Sequence, residues 1–182
     1  MQDRTDQELV DALNGGDVRA FDALYGRYRD WVVRLAVRFT GHEDDALDVL
    51  QETFSYVFRK FPGFRLTASM TTFLYPVVKN LSIAAKRKRT RMASTDAVEA
   101  PDPVAPAAAD PDGGRGELAG VMACLPDGQR EVLLMRFVDG MSLQEIADAL
   151  CIPEGTVKSR IHNAIATLRA DERARRYFSP EG

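Results

Sequence analysis

The stretch from Ser142 to Arg169 leaves few folds open to this chain. It reads as two helices joined by a tight turn. Ser142 can cap the first helix, with Glu145 reaching back to the cap, the reciprocal pattern of a capping box. Leu143, Ile146, Ala147 and Leu150 recur at helical spacing and form its apolar face. Pro153 suits the first turn of the second helix, where its missing N–H costs nothing. In that second helix Val157, Ile161, Ala164, Ile165 and Leu168 share one face. Thr156, Lys158, Ser159, Arg160, His162, Asn163 and Thr167 cover most of the rest. From Gly155 to Ala170 there is no Asp or Glu, against Lys158, Arg160 and Arg169. One apolar face and one cationic, hydrogen-bonding face suit the major groove of DNA. The alternative is an ordinary helical hairpin with a solvated face. Turn, caps and charge bias agree against it.

A chain of 182 residues holds one or two small domains, and an apolar content of 45% suffices for a packed core. The net charge of −3 does not suggest a nucleic-acid binder, but the distribution of charge matters more than its sum. Cys124 and Cys151 stand far apart, without a C-x-x-C. That argues for a reducing compartment and against a disulfide framework or zinc ribbon. With only His42 and His162, no histidine-based metal site is expected. No apolar run approaches the roughly 20 residues of a membrane span. The polar N-terminus resembles no signal peptide. The expectation is a soluble, cytoplasmic protein without membrane contact, cofactor or metal.

In chain order, Thr5 and Glu8 form another capping-box pattern, opening a short helix through Leu9, Val10 and Leu13 that stops at Gly15-Gly16. Asp17 is the expected N-cap of a long second helix. Phe21, Leu24, Tyr25, Tyr28, Val32, Leu35, Ala36 and Phe39 give it one buried face, and Gly41 ends it. A third helix is predicted from about Glu43 to Lys60, with Ala46, Val49, Leu50, Phe54, Val57, Phe58 and Phe61 inward. Its first half carries Glu43, Asp44, Asp45, Asp48 and Glu52; acidic groups suit a helix N-terminus. Asp48, Gln51, Glu52, Ser55 and Arg59 make an outer polar stripe. Periodicity alone does not choose between a solvated face and a docking surface for a basic partner.

Pro62-Gly63 marks a turn in the stretch Phe61–Met70. Two aromatics, an Arg and small hydroxyls there fit either a base-binding pocket or a packed connector. A fourth helix is predicted to start near Thr71 or Thr72. Leu74, Val77, Val78, Leu81 and Ala85 face inward, with Lys79, Ile83, Lys86 and Arg87 outward and Asn80 at the flank. Pro76 is tolerable in a first turn and disruptive further in. From Phe73 to Thr95 there is no acid, while Lys79, Lys86, Arg87, Lys88, Arg89 and Arg91 are all basic. This reads as a phosphate-binding strip. The pattern then disappears into an acidic, Pro- and Ala-rich stretch from about 91 to 117, expected to be a flexible linker. Helices resume with Leu118–Leu125. Pro126-Asp127 opens the next, with Val132, Leu133, Met135, Phe137 and Val138 apolar and Gly140 closing it. Residues 171–182 form a charged tail, a frayed extension of the last helix.

No strand-like alternation, glycine-rich phosphate loop or nucleophile with a His partner appears. The acidic cluster is serial along one helix, whereas a metal site needs convergent carboxylates. No catalytic residue is expected. The fold class is all-α, two small helical domains joined by a linker.

Four segments resemble one family. Asp45-Ala-Leu-Asp-Val-Leu-Gln-Glu-Thr-Phe54 resembles the core-binding motif of bacterial extracytoplasmic-function sigma factors. Thr72-Phe-Leu-Tyr-Pro-Val-Val-Lys-Asn-Leu81 is similar to their W-L-Y segment. Leu125–Leu134 and Gly155-Thr-Val-Lys-Ser-Arg160 resemble their C-terminal motifs. The resemblance spans roughly Leu9 to Arg169, sparing the linker. It implies a region 2-like domain at 5–90 and a region 4-like helix-turn-helix domain at 118–170. It implies that Asp48, Gln51, Glu52 and Ser55 dock on core RNA polymerase. The loop from Phe61 to Thr72 would capture a minus-ten base flipped from the non-template strand. Phe64, Ser69, Thr72 and Asn80 are its candidates, with Lys79, Lys86, Arg87 and Arg89 on the backbone. Ile83 and Pro76 would pack against polymerase or DNA. Thr156, Lys158, Ser159, Arg160, His162 and Asn163 would read the minus-thirty-five duplex. The linker would pass through the RNA exit path, and an anti-sigma factor is the expected regulator. Phe73 stands where the family usually has Trp, Pro76 at a typically helical position, and Cys151 where the turn often has Gly. The rival is a LuxR-like two-domain regulator that binds duplex DNA without polymerase. It leaves the N-terminal motifs unexplained.

Overall fold

The structure, a computed structural model, describes residues 4–93 and 114–178. They fall into two compact units. In the first, α1 (Asp6–Asn14) opens with the expected capping box: the Thr5 N–H donates to Glu8 Oε2 at 2.7 Å and the Glu8 N–H to Thr5 Oγ1 at 3.3 Å. The bonds from the Thr5 N–H and hydroxyl hold the Glu8 carboxyl below its ordinary value. The cap is therefore intact above the free-carboxyl range and is lost as pH falls through the lowered value.

The second helix, α2 (Arg19–Thr40), has Val18 rather than Asp17 at its N-cap, although the Asp17 carboxylate still accepts from the Arg19 N–H at 3.1 Å. Gly41 ends it in the left-handed region, at φ 79°. Two more helices follow, α3 (Glu43–Phe58) and α4 (Met70–Ala93). α2 packs on α1, α3 and α4, and α3 packs on α4. Leu9 and Val10, Leu24, Val32 and Leu35, Ala46, Val49 and Val57, and Leu74, Tyr75 and Val78 fill the space between them. Burying each larger apolar side chain contributes about 1.5–3 kcal/mol.

Three expectations change here. Phe58 is 51% exposed, not core, because it lies in the last turn of α3; its ring meets Phe21 edge-on at 5.2 Å. α4 starts at Met70, so Pro76 sits inside it and removes the bond an N–H would give the Thr72 carbonyl. The buried side of α4 also includes Met70, Thr72, Tyr75 and Ser82, while Val77, Leu81 and Ala85 are half-buried.

The second unit holds α5 (Gly114–Met122), α6 (Asp127–Phe137), α7 (Leu143–Leu150), α8 (Glu154–Ala170) and α9 (Glu172–Phe178). Helix thus enters both ends of the expected linker, at 91–93 and 114–117, and residues 94–113 lie outside the described residues. The helix expected at Leu118–Leu125 starts earlier and stops at Met122. Arg130 ties α6 back to it, donating to the Met122 carbonyl at 2.9 Å and the Leu125 carbonyl at 2.8 Å. Phe137 and Val138, expected in the core, are 65% and 60% exposed at the end of α6, where the chain turns away through Gly140. The charged tail is a separate helix, not a frayed end. Asp171 accepts from the Ala174 N–H at 2.9 Å, and α9 packs on α5 and α8 through buried Ala174 and half-buried Tyr177.

The turn between α7 and α8 follows the sequence closely. Ser142 and Glu145 exchange both capping bonds, at 2.7 and 3.2 Å. Cys151 closes α7 at φ 53° and ψ 43°, a left-handed conformation that costs a residue with a Cβ roughly 1–2 kcal/mol. Glycine would relieve that strain but lose more entropy on folding. Cys151→Gly should therefore stabilise the second unit by about 0.5–1 kcal/mol. A higher urea midpoint at unchanged slope is the expected result, and a lower midpoint would show that the thiol matters more than the strain.

Candidate nucleic-acid interface and docking face

Asp48, Gln51, Glu52 and Ser55 project from the outer side of α3, and all are exposed. None of their side chains makes a hydrogen bond or ion pair with another described residue. Gln51, Glu52 and Ser55 also line a groove between α3 and α4, together with Tyr56, Arg59, Phe73, Pro76, Val77, Asn80 and Leu81. The structure therefore brings most of the expected docking stripe beside Asn80, an expected base contact, while Asp48 lies outside the groove. Aromatic rings form one wall: Tyr56 stacks on Phe73 at 6.3 Å, and the Lys60 ammonium sits 4.8 Å from the Tyr56 ring centre. Tyr56 is absent from the sequence-predicted site because periodicity placed it on neither the core face nor the polar stripe.

The aromatic series continues into the loop before α4. Phe73 meets Phe64 at 4.8 Å, and Phe64 meets Phe61 edge-on at 5.4 Å. The Phe61–Pro62 peptide is cis, and Gly63 has φ 100°, which favours glycine. Ser69 stands just before α4 and acts as its cap, its hydroxyl accepting from the Thr72 N–H at 3.2 Å. The same hydroxyl bonds those of Thr71 and Thr72, at 2.9 and 2.8 Å. Thr72 is only 7% exposed. Two expected base contacts, Ser69 and Thr72, thus hold the start of α4, whereas Phe64 is half-buried and Asn80 exposed. Asn14, on α1, reaches this loop and was missed, for no local pattern signals a contact so distant in sequence.

Along α4, Lys79 and Lys86 are half-buried and Arg87 exposed. Arg87, Lys88 and Arg91 border a shallow depression with Ala84 and Met92. Arg89 is engaged: it donates to Asp45 of α3 at 3.0 Å. Such a partly exposed pair stabilises by at most about 1 kcal/mol.

In the second unit, Lys158, Ser159, His162 and Asn163 are exposed and share one side of α8. Thr156 is half-buried, and its carbonyl accepts from the Ser159 hydroxyl at 3.0 Å. Arg160 stands apart. Its guanidinium lies against Gly128 in the first turn of α6, about 3.4 Å from where a Cβ would be. Lys158 pairs with Glu154 at 2.7 Å, an acid one position before the run that the sequence shows free of acids. Among the described residues no group of His, Cys, Asp and Glu is placed to hold a metal ion. No described helix is long and apolar enough to cross a membrane.

Residues 24–92 match the model for Sigma-70 region 2, and residues 121–170 that for Sigma-70 region 4. The ECF RNA polymerase sigma-E factor of Escherichia coli K12 is 32% identical, over 88% of this chain and 90% of that protein. The chain belongs to the extracytoplasmic-function sigma factor family. The sigma factor SigW of Bacillus subtilis is 29% identical over 90% of this chain and 94% of its own. CnrH, solved in complex with the cytosolic domain of CnrY, shares the fold at TM-score 0.67 and 24% identity, covering 91% of this chain and 95% of CnrH. The sigma factor RpoE of Bartonella quintana, solved with the anti-sigma factor NepR, does so at 0.62 and 20%, covering 91% and 100%. The sigma-factor reading of the N-terminal motifs holds. The rival two-domain regulator does not account for a region 2 match across most of the first unit. The family is one of transcription initiation factors.

Proposed function

We propose that this alternative sigma factor docks on core RNA polymerase through Asp48, Gln51, Glu52 and Ser55 and opens promoters in the cytoplasm. The loop from Phe61 and the start of α4 hold a flipped minus-ten base, with Phe64 and Asn80 nearest to it and Ser69 and Thr72 shaping the helix start. Extruding a base costs a few kcal/mol of lost stacking, which the pocket must return. Lys79, Lys86 and Arg87 hold the backbone. On α8, Lys158, Ser159, His162 and Asn163 face the minus-thirty-five duplex, and Arg160 braces α8 against α6. Binding energy drives strand opening, so the chain needs no catalytic group of its own. An anti-sigma factor controls it, as the partners of CnrH and RpoE suggest by analogy. The observation that carries this reading is the groove in which Gln51, Glu52 and Ser55 of α3 meet Asn80 of α4. A docking face and a base-reading face that share one groove couple polymerase binding to promoter opening.

Run-off transcription tests it, with bacterial core polymerase on fragmented genomic DNA from the source, with and without this protein. Discrete new transcripts sharing an upstream pair of elements are expected. No new initiation, together with specific duplex shifts by the protein alone, would overturn it. The phosphate strip has its own test. With holoenzyme on promoter DNA, log K falls linearly with log salt by about 0.9 per phosphate contact on duplex and about 0.7 on single strands. Arg87→Ala should flatten that slope by roughly one contact without changing promoter preference. An unchanged slope removes Arg87 from the strip.

A further inference from the structure

Asn14 is the last residue of α1 and is half-buried. Its side-chain amide makes two bonds to the loop before α4. Oδ1 accepts from the Gly63 N–H at 2.7 Å, and Nδ2 donates to the Phe64 carbonyl at 2.8 Å. These contacts join residues 49 and 50 positions apart. The loop itself fixes the orientation of the amide, since an N–H must meet the oxygen and a carbonyl the nitrogen. Few side chains could take this place. Asp offers acceptors only and would face the Phe64 carbonyl with negative charge. Gln is one methylene longer, and Leu has the shape without the polarity.

The geometry fixes one residue from two directions. Phe73 of α4 and Phe61 hold the Phe64 ring, at 4.8 and 5.4 Å, while Asn14 of α1 holds its carbonyl. Gly63, the other anchored residue, has φ 100° and open space where a Cβ would be. Its role is conformational, and its N–H is fixed by Asn14. A pocket for an extruded base must be pre-formed, because a loop that orders only on binding loses affinity to the entropy of ordering.

We propose that Asn14 is a positioning residue for minus-ten recognition: it sets the backbone of the base-reading loop from outside both the loop and α4. The inference rests on the assignment of that loop to the minus-ten base. Asn14 acts through Phe64 and Gly63 and touches no base itself. Its loss should therefore alter base discrimination more than binding to polymerase or to the minus-thirty-five duplex.

The test uses the full chain with core polymerase on a promoter from the run-off experiment, beside copies carrying single substitutions in the minus-ten element. Asn14→Leu should slow open-complex formation on the matched promoter about tenfold and narrow the matched-to-substituted ratio by a similar factor. Core affinity and minus-thirty-five duplex affinity should stay within about twofold. Asn14→Asp, which keeps the acceptor and loses the donor, should fall between Leu and wild type. Exchange of the Gly63 amide should speed up in Asn14→Leu, which loses the acceptor, and stay near the wild-type rate in Asn14→Asp, which keeps it. Phe64→Ala serves as the loop control. If Phe64→Ala narrows the ratio and neither Asn14 variant does, the proposal is wrong and the loop assignment stands. If Phe64→Ala also leaves the ratio intact, the loop does not read the base and both fail. An equal loss of core affinity in the Asn14 variants would mark a general defect of the first unit, which also overturns the proposal.

Discussion

Glu52→Lys should weaken binding to core RNA polymerase at least about 100-fold, or roughly 2.7 kcal/mol, while leaving the melting temperature of the free protein almost unchanged. Glu52 is exposed in the middle of α3, has no partner among the described residues, and lines the groove beside Gln51 and Ser55. A surface substitution without partners usually shifts stability by no more than about 0.5 kcal/mol. Reversing a charge in the centre of a docking face places like charges together and leaves the partner's basic group desolvated without its counterpart, which costs several kcal/mol. Fluorescence anisotropy with labelled sigma factor and core enzyme measures the first quantity, and calorimetry of the free protein the second. Full affinity in Glu52→Lys would move the docking face elsewhere. A large fall in melting temperature would show that Glu52 has a structural partner.

The largest effect on stability should come from Tyr75→Ala. Tyr75 is 1% exposed, its ring meets Phe39 of α2 edge-on at 6.3 Å, and it is among the largest fully buried side chains. Removing a buried aromatic ring leaves a cavity that the surrounding helices fill only partly, a loss of about 3–5 kcal/mol. In a unit of this size each kcal/mol moves the midpoint by roughly 4–8 °C, so the transition of the first unit should fall by more than about 12 °C. The second unit has its own core, around Leu125, Leu133 and Ala164, and its transition should stay in place. Tyr75→Phe, which keeps the ring, should retain most of the stability. A common fall of both transitions would show that the units unfold as one.

The helix-turn-helix was legible because its signals are local. Ser142 and Glu145 lie within one turn, and the family resemblance put Cys151 where the turn often has Gly, a position the structure shows to be left-handed. The long core faces of α2 and α3 were legible as well, since many residues repeat one period. Periodicity failed at helix ends. Phe58, Phe137 and Val138 continue the apolar pattern, yet the chain turns away before a neighbouring helix can cover them. It also failed on α9, which contributes only Ala174 and the half-buried Tyr177 to the core, too few apolar positions to show a period. Ser69 and Thr72 look like free hydroxyls in a loop. Their caps and mutual bonds depend on where α4 starts, and Pro76 made that start ambiguous. Asn14 and Arg160 were the least accessible, because what they touch lies on another helix or a distant loop.

The Asp45–Arg89 pair gives the basic end of α4 a different character from the rest of the strip. On the proposed phosphate contacts, Arg87 would give up only water and mobile ions. Arg89 would first have to let go of the Asp45 carboxylate, so its encounter with DNA would be a partner exchange in which one ion pair replaces another. The net attraction from that residue would be accordingly small, and the Asp45 carboxylate would be left facing an approaching polyanion.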